Sequence, residues 1–275
     1  MNTLLKNLTI KNNFMFAAVM SDEENCKGFL ERALSMKVDH VEISTEKNIV
    51  YHPEYKGVRL DVYAKDENNT RYNIEMQVLK QPALGRRSRY YQSQMDMELL
   101  LKGCEYAELP DSYVIFLCDF DPFGKGKYRY TFWTACEGTE KASLKDGRCI
   151  MFLNTRGENA EEVPKELVSF LKFVHADLKE SQKDFQDDYV RQVQKSVTHI
   201  RESREMEERF MLLELLLKDE RREGREEGRK TGQLEEAQGM LQMALNRFGE
   251  LPENLLKTLH QQQDIEVIRS WMEKA

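Results

Sequence analysis

Apolar and polar positions alternate with period two in two neighbouring stretches of the chain. Leu60, Val62 and Ala64 alternate with Arg59, Asp61 and Tyr63, and Ile74, Met76 and Val78 alternate with Asn73, Glu75 and Gln77. Period two gives each strand one apolar and one polar face. Between the two runs lies DENNT, a cluster of turn residues centred on Asn68, so the pair predicts a β-hairpin. Folded symmetrically about Asn68, it sets Asp61 opposite Glu75, Tyr63 opposite Asn73 and Arg59 opposite Gln77. A slip of one residue would set apolar faces against polar ones.

Elsewhere the pattern changes period. LTIKNNFMFAAVMSDEENCKGFLERALSM predicts one or two amphipathic helices, with Ser21 and Glu24 at capping-box spacing. DHVEISTEKNIVYHP predicts a strand that leads to the hairpin. After it, Pro82 and Gly85 break the chain, and RRSRYYQSQMDMELLLKGCEYAEL predicts a helix with Tyr91, Met95, Leu99 and Lys102 near one stripe, ending at Gly103. SYVIFLCDF is almost continuously apolar, the mark of a strand buried on both faces. KYRYTFWTACE and RCIMFLNT predict further strands. The order of elements implies an α/β fold, a mixed sheet with helices on its faces.

From about Asn159 the chain turns to helix formers and charges. The pattern divides it into a domain over 1–180, a long helical extension over 181–222, a Gly-rich charged linker over 223–232 and a helical tail over 233–275. Gly224, Gly228 and Gly232 recur every four residues among charges. Each glycine costs about 1 kcal/mol in a helix interior, which favours a flexible or weakly helical linker; a glycine stripe for close helix approach is the other reading. Apolar residues at helical spacing in the tail suit self-association into a homo-oligomer, or equally a helical pair packed on itself.

Composition bounds the chemistry. The 275 residues carry a net charge of −7, so contact with nucleic acid requires a local basic patch. Five cysteines (Cys26, Cys104, Cys118, Cys136, Cys149) form no C-x-x-C pair, which argues against zinc ribbons and redox motifs and fits reduced thiols. The five histidines are scattered and read as surface or packing residues. A polar N-terminus and the lack of a long apolar run predict a soluble, cytoplasmic protein with no membrane partner.

Against this background the hairpin is chemically unusual. Like charges directly opposite on a sheet repel, and a hard divalent cation on the two carboxylates would offset that repulsion. Neutralisation by Arg59 and Arg71 on a wet strand face is the bland alternative. Directly after the second strand, KQPALGRRSRYY carries Lys80, Arg86, Arg87 and Arg89 without an acid. These side chains suit phosphate contacts, beside Tyr90 and Tyr91; a solvated helix start with core tyrosines is the alternative. Tyr91 shares the stripe of Met95 and Leu99 and reads as core.

NNFMFAAVMSDEEN, RLDVYAKDENNTRYNIEMQV, RSRYYQSQMDMELL and YVIFLCDFDPF together resemble the PD-(D/E)xK nuclease superfamily, and within it the bacterial recombination-promoting nuclease and transposase family, over roughly Leu8 to Leu217. The resemblance implies a restriction-endonuclease-like fold, a mixed four-stranded sheet flanked by helices, here with an α-helical C-terminal extension. It implies a metal-dependent DNA endonuclease linked to recombination or mobile elements, with Asp61 and Glu75 as metal-binding acids. The alternative is a non-catalytic nucleic-acid-binding or regulatory protein that kept the fold. The last motif position, usually lysine, holds Gln77, so Gln77→Lys is expected to be tolerated. The implied cofactor is Mg²⁺, with Mn²⁺ as substitute, held by Asp61, Glu75 and the Met76 carbonyl, and the implied partner is DNA. Gln77 would orient the attacking water. Asn13 is a further candidate by family position. Glu24 faces the site only if its capping role is set aside.

Overall fold

The structure, a computed structural model, describes residues 4–49, 58–139, 142–248 and 252–274. The chain forms two compact units, 1–207 and 208–275. The first contains a six-stranded sheet in the order β1-β2-β3-β4-β6-β5. Its strands are β1 (Val41–Ile49), β2 (Val58–Asp66), β3 (Arg71–Gln77), β4 (Ser112–Cys118), β5 (Arg129–Phe132) and β6 (Arg148–Asn154). β1, β2 and β3 are antiparallel in sequence, β3, β4 and β6 are parallel, and β5 pairs antiparallel with β6. The mixed α/β architecture is the expected one. Among the described residues the sheet has six strands rather than four, since β1 and the short β5 add to its two edges. The part of the expected first strand beyond Ile49 lies outside the described residues.

The hairpin has the predicted register, with Val62 opposite Ile74 and Tyr63 opposite Asn73. Asp66 makes the turn: its Oδ1 accepts from the Asn68 and Thr70 amides, and its Oδ2 from the Tyr72 hydroxyl. Asn69 takes the left-handed conformation at φ +66°, which asparagine tolerates. β3 ends at Gln77, and Val78 is exposed.

Two helices open the chain, α1 (Asn13–Met20) and α2 (Glu23–Leu34). The residue that caps α2 is Asp22, which accepts from the Asn25 amide. Ser21 instead ends α1, its hydroxyl donating to the Ala18 carbonyl, so the Ser21–Glu24 capping box is not formed. α3 (Leu84–Leu99) starts ahead of Gly85 and stops ahead of Lys102 and Gly103. It covers one face of the sheet, where Leu84, Tyr91 and Met95 pack with Tyr63, Val114, Phe116, Cys118 and Phe152.

α4 (Lys165–His175) and α5 (Asp188–Glu202) complete the first unit. The Phe170 ring lies 5.5 Å from Phe29 of α2 and 5.6 Å from Tyr189 of α5. The Tyr189 hydroxyl donates to the Asn25 carbonyl at 2.5 Å. Gly28 makes this approach possible, because a Cβ there would overlap the Tyr189 ring. α5 is therefore part of the domain that the hydrophobic pattern closed at 180. Its tyrosine and valines supply a packing face that looks, in sequence, like the start of a charged extension.

α6 (Arg204–Leu245) is one helix through the stretch expected as a linker, 223–232. A Cβ at Gly224, Gly228 or Gly232 would meet no atom within 4 Å, so no described neighbour presses on the glycine stripe. In the second unit α6 is followed by α7 (Glu253–Gln261) and α8 (Ile265–Lys274), with a small core of Leu241, Leu259 and Ile268. Among the described residues no helix is long and apolar enough to cross a membrane.

Candidate active site

The site forms where the β2–β3 ladder opens. Paired residues end at Val62 and Ile74, and the next two, Asp61 and Glu75, bond through side chains instead. The Asp61 amide donates to Glu75 Oε1 at 3.2 Å, and the Met76 amide donates to Asp61 Oδ2 at 3.0 Å. Both carboxylates thus take backbone donors that a longer ladder would have used. Asn13, at the start of α1, brings its Nδ2 to 3.5 Å from Asp61 Oδ2.

The polar face of β3 is not a wet face. Asn73, Glu75 and Gln77 are 0 %, 1 % and 6 % exposed, because α3 lies over them. Burial, with the Asp61 charge next in weight, pushes the Glu75 carboxyl up to about 8. The Asp61 amide and Arg87 act against that shift. A carboxyl in this state is poorly served by water and takes a nearby cation readily.

Carbonyl direction adds a third oxygen. The Gln77 carbonyl accepts from the Asp119 amide, just past the end of β4 on one side. Carbonyls alternate sides along a strand, so that of Met76 points towards β2, the side on which the Met76 amide meets Asp61. Asp61, Glu75 and the Met76 carbonyl form an all-oxygen donor set, which fits a hard divalent ion that keeps several of its waters. No group of three or more His, Cys, Asp or Glu side chains placed to hold a metal occurs among the described residues, so such an ion would rest on two carboxylates.

Adjacent strands β2 and β3 thus each carry an acid, and β3 carries the E-x-Q run. The sequence matches the family described as PD-(D/E)XK nuclease family transposase over residues 10–240. The chain belongs to this family. No curated protein and no solved structure matches it significantly. The family name ends in acid, any residue and lysine, whereas Glu75, Met76 and Gln77 read acid, any residue and amide.

The four basic residues after β3 separate into two kinds. Lys80, Arg86 and Arg89 are exposed. Arg87 turns inward: one terminal nitrogen lies 3.2 Å from Gln77 Oε1 and 3.0 Å from Gln81 Oε1, and the other 3.4 Å from Glu75 Oε2. Its Nε donates to the Tyr91 hydroxyl at 2.8 Å. Tyr91 is buried and stacks on Phe116 at 6.1 Å. Arg87, expected as a phosphate contact with the other three, has a partner on every guanidinium nitrogen, which leaves little for a phosphate. Glu24 is exposed in the first turn of α2, and no bond ties it to the site residues.

Asp119 has no counterpart in the sequence reading. It follows β4 directly and is almost buried. Its carboxylate meets His175 Nδ1 at 2.7 Å, the Thr155 hydroxyl at 2.9 Å and the Lys11 ammonium at 3.1 Å. Burial pushes its carboxyl up, but these three partners outweigh it and hold it below the usual range. The cluster ties the end of β4 to the C-terminus of α4 and to the segment that enters α1, and so fixes where Asn13 reaches Asp61. An acid immediately after an apolar central strand was the only signal in the sequence.

Proposed function

We propose that this protein is a metal-dependent DNA endonuclease that hydrolyses phosphodiester bonds, acting in recombination or on mobile elements in a bacterial cytoplasm. The observation that carries the reading is the meeting of Asp61 and Glu75 at the open end of the hairpin, one carboxylate half-buried and the other enclosed. Asp61, Glu75 and the Met76 carbonyl would hold Mg²⁺, or Mn²⁺ in its place. When bound, such an ion neutralises the phosphodiester and lowers the pKa of a water.

The chain's own residues do the rest. Asp61 and Glu75 are held by the Met76 and Asp61 amides, so they do not have to be ordered when the ion arrives. Gln77 stands on the same face as Glu75 and offers an amide to the phosphate or to water. It cannot act as a general base. Lys80, Arg86 and Arg89 extend from the exposed start of α3 as phosphate contacts that position the duplex without reading its sequence.

Incubation of the purified protein with supercoiled plasmid, with Mg²⁺, with Mn²⁺ and with EDTA, tests the reading. Nicking in the two metal arms alone is expected. Retarded but uncut plasmid in every arm would favour a regulatory protein that binds nucleic acid without cutting it.

A further inference from the structure

The family motif ends in a lysine, and this chain has a buried amide there. We propose that Arg87 supplies the missing positive charge from α3, acting as a positioning residue that fixes the Gln77 amide with its NH₂ group towards the site. The inference rests on the endonuclease reading of the same site.

The geometry of the guanidinium carries it. Arg87 sits in the first turn of α3, and its neighbours Arg86 and Arg89 point to solvent while it lies against β3 with 30 % of its side chain exposed. Its Nε and one terminal nitrogen both reach the Tyr91 hydroxyl, at 2.8 and 2.6 Å. Tyr91 is four residues on, the spacing that puts two helical side chains on one face. The guanidinium lies 5.0 Å from the Tyr91 ring centre and 5.9 Å from that of Phe116. Held at its edge and over two rings, it presents its remaining donors to Glu75 Oε2 at 3.4 Å and Gln77 Oε1 at 3.2 Å.

The consequence for Gln77 follows from its inventory of polar atoms. An amide has one acceptor oxygen and one NH₂. Arg87 donates to the oxygen, which sets the orientation of the group. Among the described residues no acceptor takes the Gln77 NH₂, so this is what Gln77 has to offer. A lysine ammonium is likewise a donor with no acceptor. Gln77 thus reproduces the donor of the motif lysine, and Arg87 reproduces its charge one layer behind. The water-orienting role expected of Gln77 is then exerted by donation from its nitrogen. The single substitution Gln77→Lys, tolerated on the sequence pattern alone, would instead set two cations against each other in a nearly buried position.

The test is a charge relocation read in three ways. Arg87→Gln should lower kcat for plasmid nicking by about a hundredfold with KM for DNA unchanged, where a lost phosphate contact would raise KM. Gln77→Lys alone should be equally slow. Gln77→Lys combined with Arg87→Gln returns one cation to the site, and should recover nicking to within about tenfold of the parent. Independently of cleavage, calorimetric titration with Mn²⁺ should show binding about tenfold tighter in Arg87→Gln, because a cation has been removed from Glu75. Unchanged or weaker Mn²⁺ binding in Arg87→Gln overturns the proposal, as does a double variant no faster than the slower single one. Parent protein that binds Mn²⁺ and leaves plasmid intact overturns the endonuclease reading instead, and the Mn²⁺ comparison still decides the place of the Arg87 charge.

Discussion

Glu75 is the residue on which the account turns, and its protonation predicts a pH dependence. Its folded-state pKa lies above the usual glutamate value of 4.5, at about 8. Between those two values the folded protein holds more protons than the unfolded chain, so stability falls as pH rises through the window. The melting temperature in EDTA should therefore decline from pH 5 towards pH 8. Glu75→Gln should flatten that decline, and a slope of equal size in the variant would assign it to another group. The pairing of Asp61 with Glu75 was legible in the sequence because strand period and turn chemistry agree on one register. The burial of Glu75 was not, since it depends on α3 returning over β3. The inward turn of Arg87 is hidden for the same reason: four basic residues in a row look alike until a helix start divides them into one that faces the strand and three that face solvent.

At the scale of elements, the exposed start of α3 and the far end of β4 do different work. Lys80, Arg86 and Arg89 face solvent, and each phosphate contact contributes a salt slope of about 0.9 in log affinity. Replacing Arg86 and Arg89 by alanine should lower the magnitude of that slope on duplex DNA by about 1.8, whereas Arg87→Gln should leave it near the parent value. Equal slopes for the parent and the double alanine variant would move the DNA elsewhere on the surface. At the end of β4, Asp119→Ala removes the common partner of Lys11, Thr155 and His175. The expected cost is about 3 kcal/mol in urea unfolding, and a loss under about 0.5 kcal/mol would mean that the cluster does not hold the end of β4. The apolar run of β4 announced a central strand, and the structure places it between β3 and β6. Asp119 could not be assigned from sequence because its three partners lie 108, 36 and 56 residues away.

For the whole molecule, the boundary between the two units determines what folds alone. The first unit runs to Glu207 and includes α5, whose Tyr189, Val190, Val193 and Val197 are buried. A chain ending at residue 207 should unfold cooperatively with a melting temperature close to that of the full protein, while one ending at 180 should lose the cooperative transition by uncovering Phe29 and Phe170. Retained cooperativity in the shorter chain would place α5 outside the folding unit. The helix formers and charges after 180 read as an extension outside the domain because α5 buries a single stripe and exposes the rest. The helical character of 223–232 was likewise masked by its glycines, whose cost in a helix is a propensity term that a 42-residue helix overrides. What joins these scales is the proposed joint role of Asp61 and Glu75 in metal-dependent cleavage. It is tested most directly by the rate of plasmid nicking in Mg²⁺ for the parent and for Asp61→Ala at matched folded concentration. A fall of about a thousandfold or more is predicted, and a variant that nicks at the parent rate would contradict the account.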